Sequence, residues 1–89
     1  MASKRTMNYE LTQHAQKVLE ERDIPVEWLE RTLLAPELVL PEPNDNAVER
    51  CFRRIPEYGG RVLRVVVNKA VDPNRVLSVF FDCRMKDKL

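Results

Sequence analysis

From Val48 onward the chain holds three runs rich in valine, phenylalanine and arginine, which turn signals interrupt. The runs are Val48–Ile55, Arg61–Lys69 and Arg75–Cys83, and the interruptions are Pro56-Glu57-Tyr58-Gly59-Gly60 and Asp72-Pro73-Asn74. β-branched and aromatic residues suit a pleated, half-buried surface. A parallel return would need a dozen or more connecting residues, so turns this short make adjacent runs antiparallel. Alternation then assigns faces: Leu63, Val65 and Val67 share one side, as do Leu77, Val79, Phe81 and Cys83. The other side mixes Arg64, Asn68, Ser78, Asp82 and Arg84 with Val62, Val66, Val76 and Phe80. A face half apolar and half charged suits a ligand groove or a subunit interface, and equally a solvated sheet face.

Before Val48 the period is helical. Thr12 is a natural N-cap, its hydroxyl accepting from a free amide of the first turn. At 100° per residue Leu11, Ala15, Val18 and Leu19 form one stripe, with Arg22 projecting into its middle and His14 on its edge. Asp23-Ile24-Pro25 closes this helix and opens another, because proline is accepted at a first helical position but not inside one. The second helix is expected over about 25–35, with Val26, Leu29 and Leu33 inward. Trp28 falls on roughly the opposite side, to pack under Leu38-Val39-Leu40 or to meet a partner. Pro41, Pro43 and Asn44 to Asn46 read as a turn-rich loop, and Asn8 to Leu11 as a short strand or the approach to the helix.

A chain of 89 residues can bury one sheet under a pair of helices and has no room for a second core. The fold expected is α+β, two N-terminal helices packed on one face of an antiparallel sheet of three to five strands. It should form a single domain over residues 1–89, with its core at about 9–84. Apolar residues at 44% and charged ones at 33% are the balance of a folded chain, not a disordered one. No stretch approaches the roughly 20 apolar residues of a membrane helix. The N-terminal residues carry charges without an apolar run after them, so a cytoplasmic location and no membrane partner are expected.

Cys51 and Cys83 are too far apart for a metal knuckle, and with a single histidine they make no familiar zinc set. No metal and no cofactor is therefore expected. The thiols read as small hydrophobes, with a disulfide left open should their strands be neighbours. Charge is unevenly spread: residues 1–44 sum to −3 and residues 45–89 to +4. That asymmetry fits one phosphate-facing surface, or two layers that neutralise each other.

The elements Thr12-Gln13-His14-Ala15 and Glu21-Arg22-Asp23-Ile24-Pro25, with the strands Arg61-Val62-Leu63-Arg64-Val65-Val66-Val67 and Val76-Leu77-Ser78-Val79-Phe80-Phe81-Asp82, resemble an uncharacterised family. It is a domain-of-unknown-function family of small prokaryotic proteins, related to the BrnT toxins and the wider RelE/ParE-like group. The resemblance spans about Tyr9 to Arg84. It implies a RelE-like α+β scaffold of toxin–antitoxin type and an RNA-directed role, as a metal-free ribonuclease or an RNA-binding protein. His14, Arg22 and Arg64 are the residues it carries over as catalytic.

The chemistry is consistent with that implication. Metal-free RNA cleavage needs groups that deprotonate a 2′-hydroxyl, stabilise a phosphorane and protonate a leaving oxygen. Histidine suits the proton steps and the arginine fork suits phosphate. His14 would be base or acid, Arg64, Arg84 or Arg22 would hold the phosphate, and Tyr58 would stack on a base. Each residue also has a plain structural reading: His14 bonding a backbone carbonyl, Arg22 favoured at a helix C-terminus, Arg64 and Asp82 as a cross-strand ion pair. The rival function is a non-catalytic interaction or regulatory module, binding a partner protein or a second copy through the outer sheet face.

Overall fold

The computed structural model describes residues 9–85 and Leu89. Asn8 of the expected first strand, and residues 1–7 and 86–88 of the expected domain, lie outside the described residues. The elements are β1 (Tyr9–Leu11), α1 (Gln13–Glu21), α2 (Val26–Leu34), β2 (Leu38–Glu42), β3 (Asp45–Ile55), β4 (Arg61–Asn68) and β5 (Asn74–Phe81). Two 3₁₀ turns, Pro56–Tyr58 and Cys83–Met85, follow β3 and β5. The strands lie in the order β1-β5-β4-β3-β2. The β2–β3, β3–β4 and β4–β5 pairs are antiparallel. β1 runs parallel to β5, so the α+β architecture holds with a mixed rather than purely antiparallel sheet.

Thr12 does more than cap α1. Its Oγ1 accepts from the Ala15 N–H at 3.1 Å and donates to the Leu77 carbonyl at 3.3 Å, while its own N–H reaches the Val76 carbonyl. The helix start is thereby stitched to β5. At the other end Asp23 takes a positive φ of 53°, which Asp tolerates better than most residues. The Ile24 and Asp23 N–H groups bond back to the Leu19 and Glu20 carbonyls. This is a Schellman closure, with the customary apolar contact between Ile24 and Leu19, both in the core. Because α1 stops here, Arg22 does not continue the apolar stripe into the core; it is exposed.

α2 is rotated about its axis relative to the sequence expectation. Leu29 and Thr32 are its buried residues, Val26 is about half exposed, and Trp28 packs on the core side. The indole meets Tyr58 at 5.8 Å and Phe81 at 6.3 Å between ring centroids. Trp28 therefore does not lie under Leu38-Val39-Leu40: three aromatic rings meeting outweigh the choice that a count of 100° per residue makes for a short helix. Thr32 is satisfied by donating to the Trp28 carbonyl at 2.9 Å. The Tyr9 hydroxyl donates to Glu30 at 2.8 Å, tying β1 to α2.

Two strand features also depart from expectation. Val67 pairs with Val76 and Val66 with Ser78, so Leu77 is an extra residue on β5. The bulge turns Val76, expected on the outer face, into the core beside Val79. Pro41, expected in a loop with Pro43 and Asn44 to Asn46, instead belongs to an edge strand, Leu38–Glu42, that pairs with β3, with Glu42 opposite Asp45. Only Pro43 and Asn44 remain for the turn. Pro41 is tolerated because an edge strand has one side free of ladder bonds.

The main core lies between the helices and the inner sheet face, where Leu63, Val65 and Val79 meet Ala15, Leu19 and Leu29. The outer face is not fully open. Val62 and Phe52 on it are buried, and the Cys83–Met85 turn lies against β4. Arg54 Nη2 donates to the Leu89 carbonyl at 2.6 Å on this side.

Candidate functional site

β1 accompanies β5 only as far as Leu11 opposite Val76, because Thr12 already begins a helix. Beyond Val76 this edge of β5 has no strand neighbour among the described residues. The Asp82 N–H bonds the Val62 carbonyl at 2.9 Å, which sets the ladder alternation. Ser78 and Phe80 then exchange bonds with β4, and the main-chain groups of Val79 and Phe81 point to the free edge.

Along this edge α1 and β5 enclose a groove of about 330 Å³, lined by His14, Val18, Glu21, Arg22, Ile24 and Ser78 to Phe81. A second groove of about 460 Å³, lined by Tyr58, Arg61, Val62 and Cys83, shares Arg22 and Phe81 with it. Arg22 stands at the junction because the Schellman closure releases it from the core.

Both grooves are rich in uncommitted cation. Neither Arg22 nor Arg61 makes an ion pair with an acid among the described residues. Glu21, the one acid lining either groove, lies 3.9 Å from Lys17. His14 is exposed and makes no hydrogen bond among the described residues, so the structural reading of a bond to a backbone carbonyl does not apply to it. Tyr58 is 44% exposed. Its ring packs on Phe81 at 4.8 Å, and the Arg61 guanidinium lies 5.0 Å from its centroid.

Arg64 and Arg84 line neither groove. They sit on the outer face around Asp82, whose side chain is 5% exposed. Arg64 Nη1 donates to its carboxylate at 3.2 Å, Arg84 Nε approaches at 3.5 Å, and the Arg84 N–H donates at 3.1 Å. Burial pushes the Asp82 carboxyl up, but the Arg84 N–H, the Arg64 guanidinium and the charge of Arg84 outweigh it and hold it below its ordinary value. The cross-strand ion pair is thus present, and the site residues split into two groups on either side of β5. His14, Arg22 and Tyr58 belong to the edge grooves; Arg64 and Arg84 belong to the outer face.

Arg61 and Arg50 were missed by the sequence reading. Arg61 had a signal: it shares parity with Leu63, Val65 and Val67, so it is a charge at the end of an apolar row. Arg50 shares the parity of Phe52, and its Nε donates to Glu42 at 2.8 Å, with the Glu42 carboxyl held low chiefly by that bond. The described residues contain no group of three or more His, Cys, Asp and Glu side chains placed to hold a metal ion. None of their helices is long and apolar enough to cross a membrane. Cys51 is buried, Cys83 is exposed, and both are free thiols.

A family model described as a domain of unknown function, DUF4258, matches residues 11–81, a span that includes α1, all of β5 and every residue lining the edge grooves except Cys83. Comparison with curated proteins and with solved structures finds no match.

Proposed function

Since the chain belongs to the DUF4258 family, a domain of unknown function, we propose from the site itself that it is an RNA-directed protein that takes a single-stranded segment along the free edge of β5. The observation that carries this reading is Arg22, without an ion-pair partner among the described residues, at the junction of two grooves that hold His14 on one side and Tyr58 and Arg61 on the other. Single-stranded RNA is bound by cations that follow its phosphates and aromatic rings that take its bases. Arg22 and Arg61 supply the first, and the exposed part of Tyr58 the second.

His14 lines the same groove as Arg22 and makes no hydrogen bond among the described residues, which supports a finer reading, metal-free cleavage with His14 as general base or acid and Arg22 on the phosphodiester. Arg64 takes no part in this step, being tied to Asp82 on the other face.

The test is an NMR titration of the full chain with short single-stranded oligoribonucleotides at low and moderate salt. Shifts at His14, Tyr58 and the Arg22 guanidinium that weaken as salt rises support binding; no shift at any concentration overturns it. Where binding occurs, His14→Ala should keep affinity within about 3-fold while abolishing cleavage. Undiminished cleavage by that variant removes His14 from the chemistry.

A further inference from the structure

The outer-face arginines form a hollow that the edge grooves do not use. About 250 Å³ in volume, it is lined by Arg50, Arg64, Arg84, Phe52, Leu40 and Met85, with Asp82 at its side. Three guanidinium groups meet two carboxylates, Asp82 and Glu42, which leaves one cation in excess. Arg64 is held rigidly. Its side chain is 15% exposed, its guanidinium lies 4.8 Å from the Phe80 ring and 5.9 Å from that of Phe52, and its Nε is buried without a hydrogen-bond partner. Arg84 is the opposite case: 81% exposed, with its Nε at the limit of bonding distance from Asp82. It can swing to an incoming anion while Asp82 keeps the Arg84 N–H and the Arg64 guanidinium as donors.

The hollow also adjoins the grooves. Phe80 lines the His14 groove and carries the Arg64 guanidinium on its ring. Cys83 lines the Tyr58 groove, and the next residue is Arg84.

We propose that Arg50, Arg64 and Arg84 form a phosphate subsite round the end of β5 from the edge grooves, which receives the next phosphate of a strand bound there. Each guanidinium has further N–H donors to offer, and a fixed arginine beside a mobile one suits a phosphate that must be both located and clamped. The strand's identity as RNA rests on the function proposed above; the affinity of the subsite for a phosphate group does not.

Three probes separate these statements: inorganic phosphate, a diribonucleotide and a single-stranded hexaribonucleotide, each titrated into the full chain and its Arg84→Ala variant. Arg84 is exposed enough for the variant to fold. Loss of the subsite should weaken hexanucleotide binding by about 3- to 10-fold and lower the salt slope by about 0.7, the single-strand value for one phosphate contact. Diribonucleotide binding should be unchanged. Equal hexanucleotide affinity and slope in both proteins overturns the subsite while leaving the groove reading intact. If neither oligonucleotide binds, the groove reading fails and inorganic phosphate decides. A shift of the Arg64 guanidinium signal that the Arg84→Ala variant loses would uphold an anion subsite for free phosphate; its absence overturns it.

Discussion

Replacing Asp82 by asparagine removes one charge and almost no volume from the outer face, and its cost can be worked from the contacts. Asp82 accepts from Arg64 Nη1 at 3.2 Å and from the Arg84 N–H at 3.1 Å, at a position where it and Arg64 are 5% and 15% exposed. Removing one partner of a fully buried pair costs about 3–5 kcal/mol, because the other charge is left uncompensated. The amide still accepts from the Arg84 N–H and Arg64 retains some water, so Asp82→Asn should cost about 2–3 kcal/mol. In a domain of this size each kcal/mol moves Tm by about 4–8 °C, which gives a fall of roughly 10–20 °C. The assay is urea unfolding of both proteins, followed by Trp28 fluorescence, from neutral to acid pH. A carboxyl whose folded pKa lies below its unfolded one stabilises the fold above the unfolded value, near about 3.9, and the contribution fades as pH falls through the folded value. The gap between the two proteins should therefore be constant above about pH 5 and shrink below about pH 4. A gap under about 0.5 kcal/mol at neutral pH, the scale of an exposed pair, or a full gap persisting at about pH 2, would refute the reasoning.

Two further outcomes follow from burial. Leu29→Ala, at a fully buried α2 position packed on the sheet, should cost about 2–5 kcal/mol in the same urea assay; a loss below 1 kcal/mol would mean that α2 does not close the core. Thiol labelling of the native protein at neutral pH should modify Cys83 quickly and Cys51 only on unfolding, since burial both shields the Cys51 thiol and pushes its pKa up.

Much of the local structure was written in the chain. The Thr12 cap, the break at Asp23-Ile24-Pro25 and the three valine-rich strands each follow from a residue whose conformational preference is strong and whose neighbours agree with it. β2 was hidden because Pro41 and Pro43 suppress a strand reading, and only the long-range pairing with β3 shows that Pro41 sits on a free edge. Alternation assigns Val76 to the outer face because it cannot see the bulge at Leu77. Trp28 was misplaced because the rings it meets, Tyr58 and Phe81, come from turns and strands tens of residues away. For the site, the closeness of His14 and Arg22 is legible from helical spacing, whereas the separation of Arg64 from them, grouped with them as one site by the sequence, depends on a strand register that the sequence does not fix. That Arg61 and Tyr58 share a groove with Arg22 depends on the β3–β4 connection, which is held to α2 by Trp28–Tyr58 and Arg31–Glu57, and no local pattern encodes that.

The short parallel strand β1 has a consequence for the order in which the molecule assembles. The hairpins β2–β3, β3–β4 and β4–β5 each join neighbours in the chain, whereas Thr12 meets Leu77 across 65 residues. Loop-closure entropy makes that junction the last that contact energy can reward, and chains dominated by such distant meetings fold slowly. The β2–β5 meander can form before the N-terminal segment docks. The groove between α1 and β5 should then be completed late in folding, and amide exchange at Thr12, whose N–H bonds the Val76 carbonyl, should report how often the finished protein reopens this edge.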